Sequence, residues 1–284
     1  MLIDFERSIF DRSAYEQGRG YAERVRLSNS LGARLHRRLM GENVVATPCT
    51  AILLEHVRTL SRNPRVLVIG GGTVGSGVEA LYDAEDVTVV GFDVYASPQT
   101  LLVADGHDLP FRDGVFDGVL IQAVLEHVLD PWRVVAEIYR VLKPEGGVYA
   151  NTPFMQQVHE GAYDFTRFTL SGHRWLFRNF HEIASGASAG VGTSAIWSVR
   201  YLLRAVGVPS RMVNALALSL FFLKRADRTK RRRENADGAS GVYFVGTKAD
   251  RPIGPKEMVE FYHRQGTTPS VETLASGLSR KTHG

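Results

Sequence analysis

The chain has 284 residues, of which 44% are hydrophobic, and a formal net charge of +4. This length and composition fit one α/β domain with appendages and exclude a disordered chain. The single cysteine, Cys49, excludes a disulfide framework and a multi-cysteine metal site. The N-terminus lacks a signal-peptide pattern, and no apolar run is long enough to span a bilayer. We therefore expect a cytoplasmic protein.

The first 60 residues contain no strand-like run, but helical patterns cover residues 22–40 and 50–60. Two interpretations remain open for this N-terminal segment, 1–60. Its helices either pack against the domain that follows or form a lid on which Tyr15 or Tyr21 faces a ligand. The main domain is expected over 61–250.

A glycine-rich turn follows the first predicted strand, 65–69. Gly70, Gly72 and Gly75 lie directly after four apolar residues, and a helical pattern starts at Val78. A strand, a glycine turn and a helix together leave free backbone N–H groups that can bind an anion or a carboxylate. The spacing of these glycines also matches the dinucleotide fingerprint, so the turn alone leaves the kind of nucleotide cofactor open.

The second predicted strand, 87–93, ends on Asp93, which lies 18 residues after Gly75. An acid at this position of a doubly wound sheet can accept hydrogen bonds from two ribose hydroxyls, although it can also simply cap a turn. Only seven residues separate Asp93 from the next strand, 101–104. This connection is too short for an ordinary helical crossover, so we predict an abbreviated one.

The fourth predicted strand, 116–121, opens into the segment 122–128. A helix follows, with Asp130 as its N-cap and Pro131 as its first residue. The helix is expected to stop at 143–147 and to lead into a fifth strand, 148–154.

The run from Leu102 to Pro153 resembles the class I S-adenosylmethionine-dependent methyltransferases. The resemblance rests on Ala-Asp-Gly-His-Asp-Leu-Pro-Phe, Phe-Asp-Gly-Val, Val-Leu-Glu-His-Val and Glu-Ile-Tyr-Arg-Val-Leu-Lys-Pro-Glu-Gly-Gly. It extends over about 60–185 and 240–250, and it is strongest to the small-molecule branch that includes quinone-biosynthesis and glycan-cluster methyltransferases. It implies a doubly wound, seven-stranded, mostly parallel Rossmann-like sheet with the last strand antiparallel and helices on both faces.

The resemblance also assigns cofactor-binding residues, with S-adenosyl-L-methionine as the cofactor. Gly70 and Gly72, with Gly75 in the same turn, would lie alongside the methionine part of the cofactor, and Asp93 would bind its ribose. Asp105, with Gly106 or His107, would bind the adenine. Gln122 would line the cofactor at the end of the fourth strand. Two positions depart from the family pattern, because Val68 replaces a usual acid and Val74 replaces a usual glycine.

The segment 154–180 should overhang the carboxyl edge of the sheet, where ligands bind. Here His159 is our candidate general base and Glu160 its candidate orienting residue. The spacing of His159, Glu160 and Asp164 matches no established pattern of metal ligands, so we predict no metal site here. In the helix expected over 169–177, Trp175 and Phe177 are assigned to the core, while His173 and Arg174 are expected to be solvated.

The apolar stretch 212–223 is followed by a decapeptide, 224–233, with seven basic residues and one acid. This +6 segment leaves the rest of the chain at −2, which argues against a nucleic-acid-binding surface. The stretch 212–233 is interpreted either as an amphipathic contact with an anionic membrane or as a core or dimer helix followed by a solvated loop. A final strand is expected over 241–247, and a short helix with a mobile tail over 251–284, so that 207–238 is a helical, basic insertion.

These features predict an enzyme that methylates an oxygen or nitrogen of a small-molecule, glycan-linked or lipid-linked acceptor. The alternatives are a catalytically silent cofactor-binding or membrane-tethered member of a biosynthetic complex, and a nicotinamide-dependent oxidoreductase, which fits only the glycine turn and Asp93. Neither the acceptor nor the oligomeric state follows from the sequence.

Overall fold

The computed structural model describes residues 43–229, 231–265 and 271–281. The helical pattern over 22–40 lies outside these residues, as do Tyr15 and Tyr21, the candidate ligand-facing residues of the lid interpretation. The described part of the N-terminal segment forms helix α1 (Ala46–Leu60), whose apolar side packs against the sheet.

One seven-stranded sheet forms the centre of the domain. Its strands are β1 (Arg65–Ile69), β2 (Thr88–Asp93), β3 (Leu102–Val103), β4 (Phe116–Gln122), β5 (Leu142–Pro153), β6 (Phe180–Ala189) and β7 (Gly241–Lys248). The strand order is β3-β2-β1-β4-β5-β7-β6, and β7 runs antiparallel to both β5 and β6. The predicted fold class is therefore confirmed, including the antiparallel last strand.

Helices cover both faces of this sheet. The helices after α1 are α2 (Glu79–Tyr82), α3 (Pro131–Val141), α4 (Leu170–Leu176), α5 (Val191–Ala205), α6 (Ser210–Ser219), α7 (Arg232–Asp237), α8 (Pro255–Arg264) and α9 (Val271–Lys281). Side chains of α3 and α4 join one core cluster, and those of α1 and α9 join another on the opposite face. The central strands are nearly continuous apolar runs because both of their faces are buried.

Local sequence signals account for the start of α3. The Asp130 side chain accepts a hydrogen bond from the Arg133 backbone N–H at 3.1 Å, and Pro131 occupies the first helical position, where its missing N–H costs nothing. No helix lies between β2 and β3, as the short connection predicts. The chain instead folds closely over Gly91, where an added Cβ would lie 2.6 Å from the Gln99 carbonyl oxygen.

Three elements differ from the expectations. The helix after the glycine turn has only four residues, and β5 begins at Leu142, six residues earlier than expected, because Leu142 already pairs with Phe116 of β4. The tail expected to be mobile contains α9, which buries Val271 against α1.

The expectation that His173 and Arg174 are solvated is wrong. Helix α4 packs between β7 and α8, so both side chains are buried. The His173 ring lies between Phe168 and Phe177, and burial lowers its pKa to about 3, which keeps the ring neutral. The Arg174 guanidinium donates to the Phe177 and Phe180 carbonyl oxygens at 2.7 and 3.0 Å and therefore caps the end of this helix. Phe177 is fully buried, as predicted, whereas Trp175 is only partly buried.

The basic insertion is attached to the N-terminus of α5. A 3-10 helix (Leu220–Arg228) follows α6, and its Asp227 accepts hydrogen bonds from the backbone N–H groups of Gly192 and Thr193 at 2.7 and 3.1 Å. This carboxylate caps the first turn of α5 from a distant part of the chain. Among the described residues, no helix combines the length and apolarity needed to cross a membrane.

Candidate active site

The glycine turn after β1 requires glycine at two positions. Gly70 has a φ of +75°, and a Cβ there would lie 2.3 Å from a Val124 methyl group. A Cβ at Gly72 would lie 2.6 Å from Asp93 Oδ2 and 2.7 Å from the Tyr95 hydroxyl. The turn therefore lies directly against the end of β2, close enough for the Gly72 N–H to donate to Asp93 Oδ2 at 2.9 Å.

Asp93 is 8% exposed at the carboxyl end of β2. Burial raises its pKa to about 6, although hydrogen bonds from the Gly72, Val94 and Tyr95 backbone N–H groups oppose this shift. The carboxylate is thus held rigidly beside the turn and is ionised at neutral pH. A ligand with hydroxyl donors, such as a ribose, matches this group chemically.

Asp105 and His107 form a short hydrogen-bonded chain after β3. The His107 Nε2 atom accepts from the Asp130 N–H at 3.1 Å, so its Nδ1 carries the proton and donates to Asp105 Oδ1 at 2.6 Å. Burial raises the pKa of Asp105, but the hydrogen bonds from the His107 ring and backbone outweigh this effect and hold the pKa below its usual range. The His107 ring therefore fixes Asp105 in its ionised form, and the ring itself has both nitrogens engaged.

Gln122 ends β4 beside the glycine turn. Its Oε1 atom is buried and accepts no hydrogen bond from any described residue. A Cβ at Gly75 would lie 3.4 Å from this oxygen, so Gly75 and Gln122 face each other. An unsatisfied buried acceptor is costly, and the donors of a bound cofactor would satisfy it.

The residues around the turn therefore fit S-adenosylmethionine. The amino group and hydroxyls of that molecule supply donors, while Gln122 Oε1 and the Asp93 carboxylate are acceptors. The two departures from the family pattern do not obstruct this turn: Val68 is buried in the core, and the Val74 side chain, at 40% exposure, extends toward solvent.

The segment after β4 leads from these residues into a second polar group. Ala123 adopts a φ of +53°, which is uncommon for a residue with a side chain, and its N–H donates to the Asn151 carbonyl oxygen at 2.9 Å. Four residues after Gln122, the Glu126 side chain is buried at 1% exposure. Neither of its carboxylate oxygens accepts a hydrogen bond from another residue in the part of the chain that the structure describes.

Two histidines face this carboxylate. The Nε2 atoms of His127 and His159 lie 3.6 and 3.9 Å from Glu126 Oε1, and the two rings pack edge to face. Burial raises the pKa of Glu126 to about 8, and burial together with the neighbouring His127 lowers the pKa of His159. We call Glu126, His127 and His159 the polar cluster.

Asp164 positions His159. One Asp164 oxygen lies 3.3 Å from His159 Nδ1 and accepts from the His159 backbone N–H at 3.0 Å. Arg167 forms a bidentate ion pair with the same carboxylate. Burial raises the pKa of Asp164, but the hydrogen bonds from Arg167 and His159 outweigh it and lower the pKa. The carboxylate in contact with His159 is therefore Asp164, whereas Glu160, the predicted orienting residue, is exposed.

A pocket of about 450 Å³ adjoins this segment. It lies between the loop after β5 and the Tyr201 side chain of α5, and Asp164 is part of its wall. The other lining residues are Gln156, Gln157, Val158, Phe165, Thr166 and Arg167. The loop after β5 and helix α5 thus enclose the same space.

Most predicted site residues occur at one edge of the sheet. The glycine turn contains Gly70, Gly72 and Gly75, and beside it lie Asp93 and Gln122. The segment after β3 contains Asp105, Gly106 and His107. Glu126 was not predicted as a site residue. Its sequence signal was its position four residues after a buried strand and immediately before a histidine, but only the fold shows that His159 faces the same carboxylate.

The glycine turn, the strand-end acid and the sheet order define an α/β domain that binds a nucleotide-type cofactor. Residues 67–150 match a family model described as a methyltransferase domain. This match and the sheet topology confirm the resemblance to the class I S-adenosylmethionine-dependent methyltransferases that is seen in the sequence.

The relatives carry related names. Demethylmenaquinone methyltransferase of Symbiobacterium thermophilum is 33% identical over 125 residues, which cover 36% of this chain and 50% of the relative. The ubiquinone/menaquinone biosynthesis C-methyltransferase of Geotalea daltonii is 31% identical over 103 residues, which cover 30% and 44% of the two chains. The chain thus matches half or less of the length of these curated relatives.

Among solved structures, the 1,6-didemethyltoxoflavin-N1-methyltransferase of Burkholderia thailandensis is similar at 17% identity, with a TM-score of 0.46 over 82% of this chain and 90% of that one.

Proposed function

We propose that the protein transfers a methyl group from S-adenosylmethionine to an oxygen or nitrogen atom of a small-molecule, glycan-linked or lipid-linked acceptor. One observation carries this proposal: β4 ends on Gln122 beside the glycine turn, and four residues later the loop after β4 holds the buried Glu126 side chain of the polar cluster. A donor side and an acceptor side therefore share one edge of the sheet, as an in-line transfer requires.

In this reaction the bond between the methyl carbon and the sulfonium sulfur breaks as the carbon bonds to the acceptor atom. The acceptor atom loses a proton, and S-adenosylhomocysteine leaves. We assign the uptake of this proton in the metal-free protein to His159 Nε2, and we assign the orientation of the His159 ring to Asp164 instead of Glu160. The charge of Asp164 stabilises the imidazolium that forms.

Cofactor binding can be tested by calorimetric titration of the purified chain with S-adenosylhomocysteine and, separately, with NADH. We expect S-adenosylhomocysteine to bind with a micromolar dissociation constant and NADH to give no heat, because the unsatisfied Gln122 and the Asp93 carboxylate match the donors of the former. Binding of NADH without binding of S-adenosylhomocysteine would overturn the proposal in favour of an oxidoreductase.

The helical insertion supports a lipid-linked acceptor. Large apolar side chains of α6 and the following 3-10 helix are exposed, among them Met212, Phe221 and Phe222. Exposed arginines lie beside them, at 225, 228 and 231–233. Apolar side chains next to clustered cations match the interface of an anionic membrane, and α5 connects this surface to the 450 Å³ pocket.

Membrane association can be tested by flotation with liposomes that do or do not contain phosphatidylserine. We expect salt-sensitive flotation with the anionic liposomes, and its loss in the double variant Phe221→Ser, Phe222→Ser. Val259→Ser provides a matched control, because Val259 is equally apolar and exposed but lies on α8. Equal flotation with neutral and anionic liposomes would exclude a role for the arginines, and no flotation would leave α6 as a helix that packs against protein.

A further inference from the structure

We propose that the polar cluster binds a divalent transition-metal cation. Glu126, His127 and His159 each offer one ligand atom, and these three atoms lie within 4.8 Å of one another. The separations from Glu126 Oε1, 3.6 Å to His127 Nε2 and 3.9 Å to His159 Nε2, are close to the distances between ligand atoms that each lie about 2.1 Å from a shared ion.

Acceptor oxygens on the far side of each ring favour the tautomer whose lone pair faces Glu126. The His127 Nδ1 atom lies 2.6 Å from the Tyr163 carbonyl oxygen, which can only accept, so Nδ1 carries the proton and Nε2 is free to ligate. The Asp164 carboxylate has the same effect on His159 through Nδ1. Metal-binding histidines usually have such an acceptor on their second nitrogen.

The buried Glu126 side chain is the strongest evidence for a bound cation. Glu126 is buried, and no other described residue donates a hydrogen bond to either of its oxygens. Two imidazole lone pairs and a buried carboxyl group that no other described residue pairs with therefore converge, an arrangement that a cation would satisfy. Two imidazoles and one carboxylate suit Zn²⁺ and Mn²⁺, and three protein ligands leave coordination positions open.

The open coordination positions suggest that the cation takes part in methyl transfer. This role rests on the proposed function, whereas cation binding itself does not. An acceptor hydroxyl bound to the cation would lose its proton to water, and the resulting alkoxide oxygen would take the methyl group as the carbon–sulfur bond breaks. His159 would then act as a ligand, not as the proton acceptor. The substrate class is an acceptor whose hydroxyl can reach this ion.

The test measures cation binding to the full chain with neither cofactor nor acceptor present. We expect one Zn²⁺ per chain by calorimetry and one Mn²⁺ by loss of the free-ion electron paramagnetic resonance signal. Glu126→Gln should weaken both by at least about tenfold. Asp164→Asn, which leaves the three ligands in place, should weaken binding by about 10- to 100-fold. His181→Ala, at an exposed histidine of β6, should leave binding unchanged.

Two results would overturn the inference: no binding by the wild-type chain, or equal affinity in Glu126→Gln and wild type, which would indicate adventitious surface binding. The affinity of each variant for S-adenosylhomocysteine verifies that it is folded. It also separates the two proposals, because a chain that binds S-adenosylhomocysteine but no cation refutes only the metal site. A chain that binds the cation but not S-adenosylhomocysteine refutes only the methyltransferase proposal.

Discussion

Replacing His159 with alanine is expected to lower the rate of methyl transfer about 100- to 10,000-fold, while the affinity for S-adenosylhomocysteine stays unchanged. A positioned proton acceptor contributes an effect of this size. His159 faces the buried Glu126 carboxylate through Nε2, and Asp164 contacts its other ring nitrogen. The ring is therefore oriented before any acceptor binds.

The measurement follows tritium from the S-methyl group of S-adenosylmethionine into the solvent-extractable products of a total lipid extract incubated with the protein. His181→Ala should transfer label at the wild-type rate, because His181 is exposed on β6. An unchanged rate in His159→Ala would remove this residue from the catalytic site. Turnover that disappears in the presence of a chelator would assign the effect of His159 to its role as a metal ligand.

The second large effect is expected at Asp93. Asp93→Asn should weaken S-adenosylhomocysteine binding by about tenfold to about a hundredfold, since hydrogen bonds to a charged group are worth roughly 1.5–3 kcal/mol. Asparagine keeps one acceptor oxygen for the Gly72 N–H, so the glycine turn should remain in place. Asp250→Asn, in the exposed loop after β7, is the matched control.

The same variant tests a dependence on pH. Burial raises the pKa of Asp93 to about 6, so its carboxylate is ionised at neutral pH and becomes protonated as the pH falls through that value. Because ribose hydroxyls donate to the ionised form, wild-type affinity should fall between about pH 7 and about pH 5. Calorimetric titration over this range should show the decline in wild type and a flat profile in Asp93→Asn. A parallel decline in both proteins would assign the pH dependence to another group.

Elements with strong local signals were predicted closely. The bounds of β1 and the Asp130 cap of α3 follow from adjacent residues, and the structure contains both of them. The early start of β5 was not predictable in this way. It depends on pairing between Leu142 and Phe116, which are far apart in the sequence.

In the candidate site, too, residues with strong local sequence signals were predicted, and residues brought together only by the fold were not. The cofactor residues lie in turns directly after strands, where sequence order fixes their place on the sheet edge. The polar cluster unites Glu126 with His159, 33 residues later, and no spacing rule connects the loops after β4 and β5. Likewise, the burial of His173 and Arg174 follows from the packing of α4 between β7 and α8, which a seven-residue sequence cannot reveal.

The loop after β4 has a consequence for how such a protein can diversify. Gln122 and Glu126 lie on one short stretch of backbone that is anchored by the Ala123 N–H to Asn151. Substitutions that shift this stretch would alter donor and acceptor recognition together and would rarely be tolerated. The pocket walls at Gln157, Val158 and Tyr201 lie on other segments. New acceptor preferences can therefore arise there while the transfer geometry is inherited intact.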